Sequence, residues 1–260
     1  MKPVLPRLIS WLPEPAAQRL VQALPNSFTI LALCFGMTAI AYADQNNIVA
    51  AIASVLVAAV LDACDGRVAR ATGSASKFGA ELDSLSDVLC FGAAPAFILY
   101  KWGLAAHGQL GWIACLSLAS ACALRLARFN VTSADPTRPA WMNSYFQGVP
   151  APAGAFLALL PVYAANADLV SVERAAAAAV AFVPMIALLM VSTLPTFAGK
   201  ATSRKALRLR YLQTLIVMTA VTAGLYLAPW PTLCLAAVLY VASIPLARAQ
   251  YRRKLKRVGP

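Results

Sequence analysis

Eight stretches of this chain, near 27–44, 48–70, 79–102, 109–128, 148–165, 175–195, 207–227 and 230–248, are apolar over close to the length a helix needs to cross a bilayer. About 20 residues suffice, because ~30 Å of hydrocarbon is crossed at 1.5 Å per residue. In lipid every backbone N–H and C=O must be satisfied within the protein, which leaves helices or closed barrels. The runs show no alternation of the barrel kind. They predict an all-α integral membrane protein with about eight transmembrane helices. Charge agrees: 12% of the 260 residues are charged, roughly half the share of a soluble domain.

The basic residues test both helix count and orientation, since short cytoplasmic loops collect Lys and Arg. With both termini cytoplasmic, only Lys101 and Arg174 of the 22 Lys and Arg residues fall on the other side, together with Asp44, Asp168 and Glu173. A wrong helix count would scramble this sorting. The formal net charge of +12 therefore reads as topology and lipid attraction. Nucleic-acid binding is not expected, because the basic residues punctuate apolar runs instead of interleaving with aromatics on a solvated face.

Pro6, Pro13, Glu14 and Pro15 interrupt the start of the chain, so the first apolar run is expected to be kept rather than cleaved. Residues 1–25 read either as an interfacial helix, with Leu8, Ile9, Trp11, Leu12, Leu20, Val21 and Leu24 on one side, or as a Pro-broken tail. The basic tail after Tyr251 reads as an anchor on anionic lipid. The six cysteines form no CxxC pair and predict neither disulfides nor zinc. His107, the only histidine, falls on the outer side and reads as a surface residue.

Against this apolar background stand Asp62, Asp65, Glu81, Asp83 and Asp87, in or beside the second and third stretches. An Asp near the centre of a membrane helix costs about 2.5 to 3.5 kcal/mol on insertion scales, so intramembrane acids point to function. Asp62 and Asp65 are spaced i,i+3 and Asp83 and Asp87 i,i+4, which projects each pair from one helix face. Two antiparallel helices would bring the faces together. Converging carboxylates repel and take up protons unless one or two hard divalent ions, magnesium or manganese, compensate them. Pairing with Arg67, Arg70 and Lys77 is the structural alternative, and it leaves the two helical spacings without a reason. Small residues around the acids, Gly66, Ala69, Gly73, Gly79 and Ala80, suit close approach of a ligand or of a neighbouring helix. Arg70 is a donor suited to phosphate oxygens.

Taken together, residues 62–87 read Asp62-x2-Asp65-Gly66-x2-Ala69-Arg70-x8-Gly79-x3-Asp83-x3-Asp87. This resembles the CDP-alcohol phosphotransferase motif at every fixed position. Four further stretches resemble the serine-accepting branch of that family: Pro25 to Thr29 (PNSFT), Glu81 to Asp87 running into Phe91 to Ala96, Arg125 to Asn130 (RLARFN), and Phe146 to Ala153 (FQGVPAPA). Val149-Pro150-Ala151-Pro152 departs conservatively from an expected Leu-Pro-Ser-Pro type sequence.

The resemblance implies a six-helix core, here residues 26–200, preceded by the segment 1–25 and followed by two additional helices and the basic tail in 201–260. It implies a homodimer in the cytoplasmic (inner) membrane of a bacterium, embedded among lipids, with the active site facing the cytoplasm. The implied reaction, in phospholipid synthesis, moves the phosphatidyl group of CDP-diacylglycerol to L-serine and releases CMP; the alternative is the same metal-dependent transfer to glycerol 3-phosphate, inositol phosphate or choline. An ion-coupled transporter is the remote alternative; the acids cluster at one end of two helices, with no inverted repeat. By carry-over, Asp62, Asp65 and Asp83 ligate metal, two ions to a site, and Asp87 ligates the second ion and acts as base. Asn26, Thr29, Asp62, Gly66, Arg70 and Gly79 are expected at CDP-diacylglycerol. Lys77, Ser84, Arg125, Arg128 and Asn130 are expected at serine or phosphate, although Arg125 and Arg128 also read as positive-inside anchors.

Overall fold

The structure is a computed structural model that describes residues 14–133, 145–197 and 217–258. It begins with α1 (Glu14–Asp44), which runs without a break through Pro25. Residues 14–24 thus continue the first span as helix, while Leu8, Ile9, Trp11 and Leu12 of the expected interfacial segment lie outside the described residues. Helix α2 (Ile48–Thr72) starts on Asn47, whose side chain accepts from the Ala50 N–H, and ends at Gly73 in the left-handed region at φ 68°. Helix α3 (Lys77–Asp87) starts on Ser76, whose hydroxyl accepts from the Gly79 N–H. A π-helical turn, Val88–Ala93, then leads into α4 (Ala94–Trp102). A 3-10 turn precedes α5 (Gly108–Ser133).

After the strand β1 (Tyr145–Gln147) come α6 (Ala151–Ala158), α7 (Leu160–Asn166) and α8 (Val172–Val191). The strand β2 (Pro195–Phe197) follows, and the chain ends in α9 (Val217–Leu227) and α10 (Pro229–Val258).

Among the described residues, six helical segments are long and apolar enough to cross a membrane: Ala23–Asp44, Ile48–Thr72, Lys77–Trp102, Leu104–Thr132, Val172–Val191 and Pro229–Tyr251. The chain is a multi-pass membrane protein. The fifth expected stretch, 148–165, is divided between α6 and α7 because Pro161 has no N–H to offer the Leu157 carbonyl. Of the seventh, 207–227, residues 207–216 lie outside the described residues.

Small side chains set the packing. Ala39, Ala43, Ala51 and Ala58 are fully buried, in keeping with the close contact of α1 and α2. At Gly36 of α1 an added Cβ would stand 2.6 Å from Cys90 Sγ, so the π turn lies against α1 nearly backbone to backbone. Helix α5 packs on α8, and α10 packs on α7 and β2.

The pairing of β1 with β2, antiparallel with Phe146 opposite Thr196, was not legible as hydropathy alternation because each strand has three residues. It is locked by Gly148, at φ 73°, where an added Cβ would collide with the Met190 carbonyl. The Gly148 N–H donates to Leu194 O at 2.8 Å, and Thr196 Oγ1 donates to Gly148 O at 2.8 Å. This clasp fixes the start of α6 against the end of α8.

Candidate active site

Helices α2 and α3 bring Asp62, Asp83 and Asp87 together, with one carboxylate oxygen from each lying within 4.8 Å of the others. Asp83 and Asp87 share a face of α3 one turn apart, and Asp87 is buried at the point where the π turn begins. Asp83 Oδ1 is buried and has no hydrogen-bond partner among the described residues. Among the described residues the only ion pair is Lys101 with Asp44 at 3.0 Å, away from this cluster. Among the described residues Arg67, Arg70 and Lys77 thus form no ion pair with the acids. Three all-oxygen donors, one of them an orphaned buried oxygen, suit a hard divalent cation, and Asp62, Asp83 and Asp87 are the side chains that would hold it.

Asp65 stands apart from the three. It is buried and its Oδ2 accepts from Thr29 Oγ1 of α1 at 2.7 Å. The i,i+3 step leaves it about 60° around α2 from Asp62, turned toward α1 rather than α3. Asp65 and Thr29 line a cavity of about 160 Å³ whose walls also include Asn26, Gly66, Arg70, Gly79 and Asp83. Asp83 is thus shared between cavity and carboxylate cluster. Two glycines shape the cavity by space: at Gly79 an added Cβ would stand 3.0 Å from Asn26 Oδ1, and at Gly66 it would stand 3.3 Å from Arg70 Nη1. The cavity offers a guanidinium, a side-chain amide and the capped start of α3, a set suited to an anionic group.

On the far side of the acids, Arg125 of α5 is 7% exposed and its Nε is buried without a partner. It acts electrostatically on Asp62 and Asp87 without forming an ion pair. Asn130 Nδ2 donates to Ser84 Oγ at 3.0 Å, linking α5 to α3. Arg128 Nη2 donates to Ser192 O at 3.1 Å, which commits it to the end of α8. Lys77 is exposed at the start of α3 and is not among the cavity walls. Sequence reasoning missed Ser86, whose hydroxyl donates to Thr29 O at 3.3 Å and fastens α3 to α1, and Ser76, the cap of α3. A Ser three residues before Gly79 at a helix start was the available signal for the cap.

The acids of two membrane helices lie beside an anion-suited cavity, and comparison with known proteins gives the family. Residues 22–194 match the CDP-alcohol phosphatidyltransferase family, and the chain belongs to that family. It is 46% identical over 144 residues to a CDP-diacylglycerol--serine O-phosphatidyltransferase of Mycobacterium leprae (strain TN), covering 55% of this chain and 48% of that protein. It is 37% identical over 172 residues to a Helicobacter pylori (strain ATCC 700392 / 26695) protein of the same name, covering 65% of this chain and 70% of the relative. A Methanocaldococcus jannaschii protein so named is 38% identical over 124 residues, 45% of this chain and 56% of the relative. The chain spans about half the length of the mycobacterial relatives it matches.

Proposed function

We propose that this chain transfers the phosphatidyl group of CDP-diacylglycerol to L-serine and releases CMP. The observation that carries the reading is the Asp62, Asp83 and Asp87 cluster, joined through Asp83 to the cavity walled by Asn26, Gly66, Arg70 and Gly79. The names of the relatives favour serine as the acceptor.

In this reading Arg70 and the start of α3 hold the diphosphate, and Gly79 lets it approach the backbone. Arg125, buried with its Nε unpartnered among the described residues, holds the serine carboxylate. Asp87 accepts the proton of the serine hydroxyl as the new bond forms between serine Oγ and the phosphorus that carries diacylglycerol; the bond from that phosphorus to CMP breaks, and CMP leaves with its oxygen. Asp62, Asp83 and Asp87, with Asp65 beside them, would hold magnesium or manganese, two ions to a site, and the metal would neutralise diphosphate charge and lower the pKa of the attacking hydroxyl. Charge sorting supports both termini and the 73–76 connection on the cytoplasmic side of a bacterial inner membrane, and the family supports a homodimer among membrane lipids.

The test is incubation of the purified protein with CDP-diacylglycerol, divalent metal and each candidate alcohol, following CMP. Release with L-serine, and not with glycerol 3-phosphate, inositol phosphate or choline, is expected. Release with one of the others and not with serine overturns the acceptor assignment.

A further inference from the structure

Asp65 of α2 and Ser86 of α3 both turn away from the carboxylate cluster, and both meet α1 at one residue. The Thr29 hydroxyl donates to Asp65 Oδ2 at 2.7 Å, and the Thr29 carbonyl accepts from the Ser86 hydroxyl at 3.3 Å. The two bonds use different groups of Thr29, and each has its own proton. Pro25 O is a second acceptor for the Thr29 hydroxyl at 3.2 Å, but the carboxylate oxygen is nearer and is the stronger acceptor. All three side chains are buried, so bulk water does not compete for these bonds.

Helical periodicity places Ser86 for this contact. It lies about 60° around α3 from Asp83 and about 100° from Asp87, so it faces α1 while the two acids face Asp62. Cys90, one turn further on, repeats the contact: its thiol donates to Ala32 O at 3.3 Å. Beyond it Gly36 leaves no room for a Cβ, which would stand 2.6 Å from Cys90 Sγ. Ser86 and Cys90 together set how α3 and the π turn lie along α1. Thr29 stands at the active-site end of this seam, where it lines the donor cavity with Asp65 and Asp83. Two hydrogen bonds therefore connect the Asp65 carboxylate to the residue that precedes Asp87.

We propose that Ser86 is a positioning residue of the acid site: through the Thr29 carbonyl it holds α3 in register with α1, so that Asp65, held by the Thr29 hydroxyl, and Asp87 keep a fixed separation. Ser86 is absent from the cavity walls and from the carboxylate cluster, so it acts through Thr29 and not on a ligand. The register matters because the two acids come from different helices and serve one reaction. This inference rests on the reading of Asp65 as support for the donor and Asp87 as the base.

Ser86→Ala removes the hydroxyl, adds no bulk and leaves the Thr29 carbonyl its place in the unbroken helix α1. Single turnover of bound CDP-diacylglycerol at saturating L-serine is expected to slow about fivefold to tenfold, the effect of one hydrogen bond. Donor binding and the KM for L-serine should stay within about twofold. On a Thr29→Val background the further effect of Ser86→Ala is expected to shrink to about twofold, because the link to Asp65 is already cut. A lower thermal midpoint with an unchanged single-turnover rate assigns Ser86 to packing and overturns the proposal. So does a loss confined to substrate binding, and so do independent, additive losses in the double variant. If the wild-type protein releases CMP with another alcohol and not with serine, the serine reading falls, and the same comparison with that alcohol decides the Ser86 inference. If it releases CMP with none, the transfer reading falls, and Mn2+ affinity without substrate, followed by electron paramagnetic resonance, decides instead. Binding about fivefold weaker in Ser86→Ala sustains the positioning role, and equal binding overturns it.

Discussion

The two flanks of the acid cluster are built in different ways. On the donor flank, Asp65, Gly66, Arg70, Gly79 and Asp83 come from one helix, one turn and the next helix, with Asn26 and Thr29 added from α1. On the flank proposed for the acceptor, Ser84, Arg125 and Asn130 come from α3 and α5, and Ser192, which holds Arg128, from the end of α8. The donor flank is a local structure whose geometry follows from helical periodicity. The acceptor flank exists only after distant elements have packed. In the proposed reading a nucleotide is held by a short local motif, while the choice of alcohol falls to contacts between distant elements.

The largest effect expected from this division lies at the shared residue. Asp83→Asn, or chelation of divalent metal in the wild-type protein, should lower kcat/KM for both substrates by about a thousandfold or more. The same substitution should raise the thermal midpoint of the chelated protein, because three carboxylates within 4.8 Å repel when nothing compensates them. Added metal should raise the wild-type midpoint and shift the variant less. A variant that keeps full activity, or whose chelated form melts lower than wild type, would break the metal-site account.

A smaller and one-sided loss is expected from Arg125→Met, which keeps the stem and removes the buried cation. The KM for serine should rise about thirtyfold to a hundredfold with the donor KM little changed. Equal loss for both substrates would place Arg125 with the diphosphate and merge the two flanks. Smaller again is Gly79→Ala. Its Cβ would stand 3.0 Å from Asn26 Oδ1, so the wall must yield by a few tenths of an ångström; donor binding should weaken about tenfold while the serine KM holds. Steady-state kinetics in both substrates reads each case.

Much of the donor flank was legible in the sequence, because apolar length marks the spans and the i,i+3 and i,i+4 steps mark the acidic faces. What the spacing concealed is that Asp65 turns toward Thr29 rather than joining the other three. The about 60° separating Asp62 from Asp65 suffices to direct one to α3 and the other to α1, and only the position of α1 decides between shared and separate use. The π turn after Asp87 was equally hidden, since an extra residue in a helical turn leaves hydropathy unchanged. On the acceptor flank Arg125, Arg128 and Asn130 were identifiable from one stretch, yet their different fates were not. Arg128 spends a donor on the Ser192 carbonyl while Arg125 is left unpaired, a difference set by elements more than 60 residues away in sequence.

Asp87 is proposed to take the acceptor's proton and Asp65 to support the donor, and binding combined with single turnover on Asp87→Asn and Asp65→Asn separates the two roles. Asn at position 87 can orient a hydroxyl but cannot take its proton, so the transition state suffers more than donor binding. Asn at position 65 disturbs the Thr29 contact and the charge of the cavity wall. The account predicts that Asp87→Asn retains CDP-diacylglycerol binding within about threefold of wild type and loses about a hundredfold or more in turnover of bound donor, whereas Asp65→Asn loses both. If Asp87→Asn weakens donor binding as much as Asp65→Asn while bound donor still turns over at the wild-type rate, Asp87 belongs to the donor flank and the base lies elsewhere.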